Sequence, residues 1–86
     1  MEFEYDPAKS MSNLAKHGIS FADARQLGRD PCVLIIGARK TIEARWVAIG
    51  RIGRKHWSAV FTYRNDRIRI ISVRRSRAKE IALYES

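Results

Sequence analysis

An α+β domain with a mostly antiparallel sheet is the fold class this sequence predicts, and three observations carry the prediction. Two short helical patterns precede residue 30, four strand-like runs follow in succession from Cys32 to Val73, and a final helical pattern closes the chain after an Arg-rich stretch. The expected order is β-α-α-β-β-β-β-α. At 86 residues there is room for one domain, spanning 1–86. A chain of this size buries only about 60–65% of the surface its unfolded form exposes, so a deep internal site is not expected.

The first element is a short strand at Phe3-Glu4-Tyr5. Asp6 is suited to cap a helix and Pro7 to its first position, where the missing N–H is no loss. That helix runs to about Lys16, with Met11, Leu14 and Ala15 as its apolar spacing and Gly18 as its left-handed stop. Ser20 caps a second helix with Phe21, Ala24 and Leu27 on one stripe, and Gly28-Arg29-Asp30-Pro31 ends it. Strands follow at Cys32–Ile36, Ile42–Ile52, His56–Tyr63 and Arg67–Val73. Gly37–Thr41, Gly53–Lys55 and Asn65-Asp66 are the turns between them. Ser76 is placed to cap a last helix packed through Ala78, Ile81 and Ala82.

The strand from Arg67 carries an internal conflict. Strict alternation puts Arg67 and Arg69 on one face with Ile71 and Val73, so the apolar phase switches midway. Either a bulge near Ile70-Ile71 or cover on both sides of the strand's far end would resolve it.

Charge is unevenly distributed. The net charge is +8, and residues 39–79 hold thirteen basic side chains against two acidic ones. That half reads as a polyanion surface, or as cations that keep a small sheet soluble and guard its edges. A lone Cys32 rules out an internal disulfide framework, and no His/Cys cluster suggests a structural zinc. No metal or cofactor is expected. The chain opens without a basic segment followed by an apolar one, and has no apolar run long enough to span a bilayer. A cytoplasmic protein with no membrane partner is therefore expected.

Four stretches resemble the BrnT toxins of type II toxin–antitoxin systems. They are Glu4-Tyr5-Asp6-Pro7-Ala8-Lys9, Asn13 through Phe21, Glu43-Ala44-Arg45 with Ile49-Gly50, and Val60-Phe61-Thr62 followed by Arg69 through Arg74. The most specific is the opening Asp-Pro-x-Lys-x-x-x-Asn-x-x-Lys-His-Gly. Tyr5 stands where the family often has Trp, and Val73 where it often has Ala. The resemblance implies a RelE-like fold and a metal-independent ribonuclease that arrests translation, with or without the ribosome as the site of cleavage. It also implies a cognate, BrnA-like antitoxin, through which alone operon DNA would be contacted.

Cleaving RNA without a metal takes a base for the 2′-OH, cations for the phosphorane charge and an acid for the 5′-leaving oxygen. His17 is the first candidate for proton transfer, although a helix-terminal histidine can equally bond a carbonyl. Lys16 is its companion cation or an alternative base. Glu43 is a base beside Arg45 or a cross-strand ion-pair partner. Arg64 and Arg74 suit the scissile phosphate, since a planar guanidinium grips two oxygens at once. Tyr84 is either an anchor for the last helix or a stacking or proton-transfer group. Arg51, Arg54, Lys55, Arg67, Arg69 and Arg75 are expected to hold flanking backbone. His56 reads as a surface residue, and Trp46 and Trp57 as core or partner-interface residues. The competing function is a nucleic-acid-binding module that does not cut, or an inactivated copy of a toxin.

Overall fold

Five strands form one sheet in the order β1-β5-β4-β3-β2 in the computed structural model, which describes residues 2–38 and 43–86. They are β1 (Glu2–Glu4), β2 (Leu34–Gly37), β3 (Trp46–Ile52), β4 (Lys55–Arg64) and β5 (Arg67–Arg75). The helices are α1 (Pro7–His17), α2 (Phe21–Ala24), which runs on into a 3-10 segment at Arg25–Arg29, and α3 (Ala78–Glu85). β2 to β5 pair antiparallel in succession, and β1 lies parallel to β5. The α+β class and the mostly antiparallel sheet are as expected.

Several boundaries move for identifiable reasons. β2 starts at Leu34 rather than Cys32, because the Asp30 carboxylate accepts from the Cys32 N–H at 2.8 Å and draws Pro31-Cys32 into a turn. β3 starts at Trp46 rather than Ile42, and just before it the Ala44 carbonyl accepts from the Thr62 hydroxyl at 2.7 Å. Arg39–Ile42, which hold part of the expected turn and strand start, lie outside the described residues. Asn65 and Asp66 form the expected tight turn with φ of 50° and 63°, the left-handed pair a two-residue hairpin of the primed type requires. Gly50 is needed for close approach, since a Cβ there would stand 3.0 Å from Leu27 Cδ2 and 3.1 Å from Asp30 Oδ2.

The phase conflict in β5 is settled by a bulge. Ser72 pairs with Val60 and Ile70 with the next residue, Phe61, so Ile71 is the extra residue between them. Ile68, Ile70 and Val73 thereby all face α2, and they pack with Ile19, Phe21, Ala24, Leu27, Trp57 and Ala59. The same step returns Ser72 and Arg74 to the face of Arg67 and Arg69.

Helix α1 is reversed from the expected packing. Its buried residues are Ser10 and Asn13, while Met11 is 73% and Leu14 50% exposed. The reason is that α1 docks on backbone rather than on apolar side chains. Ser10 Oγ accepts from the Phe21 N–H at 2.9 Å. The Asn13 amide donates to the Ile19 and Val73 carbonyls at 2.8 and 2.9 Å and accepts from the Val73 N–H at 3.2 Å. Asp6 caps the helix and Gly18, at φ 81°, ends it, both as expected.

Helix α3 also departs from expectation. Its N-cap is Arg77, whose N–H is taken by Glu80 Oε1 at 2.7 Å, while Ser76 Oγ bonds Ser58 Oγ at 2.7 Å. None of its residues is fully buried, and Ala78 and Ala82 are exposed. It sits on the sheet face away from α2 and is held there by polar contacts.

Candidate active site

The bulge determines which cations share a surface. On the sheet face away from α2, β5 presents Arg67, Arg69, Ser72 and Arg74 in sequence, opposite Arg64, Thr62, Val60 and Ser58 of β4. Direct cross-strand partners project to the same side, so this is one polar strip. Without the extra residue at Ile71, Arg74 would point into the core side.

At the middle of the strip the C-terminal end of α1 meets the sheet edge. Lys9, Ser12, Asn13, Lys16 and His17 line a shallow pocket with Ile71 and Ser72. The Asn13 amide ties α1 to Val73, which fixes the helix so that Lys16 and His17 line one pocket with Ser72. Both are exposed, and among the described residues neither makes an ion pair or a side-chain hydrogen bond. The helix C-terminus favours cations there, and α1 contains no carboxylate to neutralise them.

At the hairpin end, Arg64 Nη2 lies 3.6 Å from Glu43, Arg67 Nε 3.2 Å from Glu2 and Arg69 Nη1 3.7 Å from Glu4. Glu43 therefore pairs with Arg64, in line with the ion-pair alternative rather than a place beside Arg45. The Arg64 and Arg67 pairs are exposed, worth about 0–1 kcal/mol each, and open to exchange for phosphate, whereas the Arg69–Glu4 pair is half-buried. Among the described residues the Arg45 Nε and Glu4 Oε1 atoms are buried without a hydrogen-bond partner.

The α3 end is saturated. Arg74 forms a bidentate pair with Glu80 at 2.6 and 2.8 Å. That pairing holds Glu80 down at about pKa 2, against the penalty of burial, and raises Arg74. Tyr84 donates to Asp30 Oδ2 at 2.7 Å, which pushes the phenol up to about 12. Burial would raise Asp30, but the N–H groups of Arg51 and Cys32 and the Tyr84 hydroxyl together lower it. Of the two readings open for Tyr84, the contacts match the anchor. His56 is not a surface residue: its side chain is only 17% exposed, Nε2 lies 2.8 Å from Glu85, and its ring meets Tyr84 edge-on at 5.3 Å.

The expected backbone-holding residues do not gather in one place. Arg51, Arg54 and Lys55 lie at the β3–β4 turn, nine residues along β4 from Arg64 and so roughly 30 Å away. Arg75 points to the opposite face from Arg74 and stands over the Trp57 ring at 5.5 Å. Trp57 is core, while Trp46 is half-buried, stacks with Phe61 and meets Tyr63 edge-on. Arg67, Arg69, Arg74 and Arg64 do share the strip, with Lys16 and His17 beside it. Sequence reasoning named Ser72, with Thr62, as a residue that could orient the phosphate-binding arginines, and missed the His56–Glu85 and Tyr84–Asp30 contacts. The alternation of His56 with Trp57 could have placed it on the polar face, but contacts spanning 29 and 54 residues leave no local signal.

Fold and charge together define a small basic α+β domain whose polar sheet face is suited to a polyanion. The family model described as "Ribonuclease toxin, BrnT, of type II toxin-antitoxin system" matches residues 5–80, and the chain belongs to that family. No curated protein matches the chain. Among the described residues no helix is long and apolar enough to cross a membrane, and no group of three or more His, Cys, Asp or Glu is placed to hold a metal ion.

Proposed function

We propose that this BrnT-family protein is a metal-independent endoribonuclease of the cytoplasm that arrests translation, and that a BrnA-like antitoxin neutralises it and makes any contact with operon DNA. The observation that carries the chemistry is the pocket of Lys16 and His17 at the edge of a strip of guanidinium groups, with Ser72 of that strip among its lining residues. RNA lies along the strip with its backbone held by Arg64 and Arg67, which exchange their exposed carboxylate partners for phosphate, and by Arg69, which stays beside the half-buried Glu4.

His17 takes the proton of the 2′-OH or supplies the one the leaving oxygen needs, and Lys16 meets the charge on the phosphorane. The 2′-oxygen forms its bond to phosphorus as the bond to the 5′-oxygen breaks, leaving a 2′,3′-cyclic phosphate and a 5′-hydroxyl. Glu43 tunes Arg64 or serves as the second proton-transfer group. Arg74 borders the strip with both terminal nitrogens committed to Glu80, so the pair carries no net charge and Arg74 holds α3 beside the RNA path. A RelE-like arrangement of the sheet and helices is part of this reading.

The test is incubation of purified protein with RNA in EDTA. Cleavage to fragments ending in 2′,3′-cyclic phosphate, with DNA of the same sequence left intact, is the expected result. Intact RNA from folded protein would leave the non-cutting nucleic-acid-binding module, and cleavage abolished by EDTA would remove the metal-free mechanism.

A further inference from the structure

Ion pairing at the β4–β5 hairpin end of the sheet leaves one described guanidinium over. Arg64, Arg67 and Arg69 stand beside Glu43, Glu2 and Glu4 in turn. Arg45 has no carboxylate partner among the described residues, although Glu43 is only two residues away, because that carboxylate is taken by Arg64. The place of Arg45 in the sheet is fixed from both sides. The Ala38 N–H donates to the Arg45 carbonyl at 2.9 Å and the Thr62 hydroxyl to the Ala44 carbonyl at 2.7 Å, so the ladder runs one residue past Trp46 and sets Arg45 level with Thr62. Trp46 pairs with Phe61 and Phe61 with Ile70, which faces α2, so strand alternation turns Arg45 to the polar face.

The row across that face reads Arg45, Thr62, Arg69 and Glu4 on four neighbouring strands, so two guanidinium groups share one carboxylate. Arg45 is half-buried, and its Nε has no hydrogen-bond partner among the described residues. A half-buried cation with neither counter-ion nor acceptor lowers stability. What the row lacks is an anion with acceptor oxygens. Resting on the ribonuclease reading above, we propose that Arg45 binds a backbone phosphate of the RNA above Thr62. Thr62 comes two residues along β4 from Val60, the partner of Ser72, and β3 lies two strands from β5, so the Arg45 and Ser72 backbones are roughly 12 Å apart. The phosphate at Arg45 is therefore not the one beside Lys16 and His17 but another on the same strand. Unlike Arg64 and Arg67, Arg45 has no carboxylate to release first. Holding that phosphate fixes which linkage lies in the His17 pocket.

The test compares wild type with Arg45→Met, which keeps an unbranched stem and removes the charged fork. Three quantities are measured: affinity for a single-stranded 2′-O-methyl RNA, which has no free 2′-OH to attack, across a salt series; steady-state cleavage of ordinary RNA; and Tm. Affinity should fall about 10-fold, and the slope of log affinity against log salt should shrink by about 0.7, the share of one phosphate on a single strand. KM for cleavage should rise by a similar factor with kcat changed less than about twofold. Tm should equal or exceed that of wild type, because the substitution removes an uncompensated charge. Arg45→Lys, which keeps the charge without the fork, should keep the slope and recover only part of the affinity, and it decides the question if the methionine variant does not fold.

Unchanged affinity and slope in folded Arg45→Met, with or without a lower Tm, would overturn the assignment and leave the ribonuclease reading standing. A kcat lowered about 100-fold with KM unmoved would place Arg45 at the cleaved phosphate and overturn the neighbouring position. Wild type that binds 2′-O-methyl RNA through Arg45 yet cuts no RNA would overturn the ribonuclease reading and leave the phosphate site standing.

Discussion

The polar face of the sheet ends differently on its two sides. Next to α3, the guanidinium of Arg74, the imidazole of His56 and the phenol of Tyr84 each point at a carboxylate within 2.8 Å. Next to α1, Lys9, Lys16 and His17 face outward with no such partner among the described residues. Six residues named as one catalytic group from the sequence are thereby divided. Arg74 and Tyr84 hold a helix with no buried side chain in place, whereas Lys16 and His17 are available to a ligand. Arg64 with Glu43 stands between the two, paired loosely enough to be shared.

The largest effect that would sharpen this contrast is on chemistry. His17→Ala should lower RNA cleavage by about 10²–10⁴-fold while leaving Tm unchanged, measured by initial rates and thermal melts on the same preparation. A stability loss as large as the activity loss would place His17 among the structural groups and break the comparison.

Next in size is the Arg74–Glu80 pair. Arg74→Ala should cost about 1–3 kcal/mol after allowance for partial exposure, a fall in Tm of roughly 5–20 °C, because Glu80 is left half-buried without its partner. The pH dependence has a definite sign. Glu80 sits at about 2 in the folded state against an ordinary value of 4.5. Its contribution is therefore full above about pH 4.5 and is lost as pH falls toward 2. Acid melts of wild type should show that loss, and Arg74→Ala should not. Cleavage lost from Arg74→Ala with Tm unmoved would instead make Arg74 a phosphate ligand.

The smallest effect is that of Tyr84→Phe, which removes one hydrogen bond to Asp30. Cleavage should be unchanged and Tm lower by a few degrees at most. A large drop in cleavage at neutral pH would return Tyr84 to proton transfer.

What could be read in advance follows from the range of the interactions. The element order was legible because caps, turns and strand alternation are local: Asp6, Gly18, Ser20 and Asn65-Asp66 all act within a few residues of themselves. The bulge was legible as a conflict and needed the register to locate it at Ile71. The inner face of α1 was not, because hydrophobic spacing assumes that a helix docks on side chains, and this one docks on the sheet's edge. The partners of His56, Tyr84 and Asp30 come from opposite ends of the chain and could not be paired by spacing. For the site, residue types suggested the chemistry, but only the fold could separate committed cations from free ones.

The contact between Asn13 and Val73 has a consequence for how the protein behaves before its partner arrives. β1 covers one stretch of the β5 edge at Arg67–Arg69, and further along the side-chain amide of Asn13 meets both hydrogen-bonding groups of Val73. Donor and acceptor are presented together, as the next strand of a ladder would present them. The sheet is in effect extended by a rung one residue long, borrowed from a helix. Such a stopper denies the edge to any other extended chain, so a nascent copy meeting its own kind has no template there for stacking into aggregates.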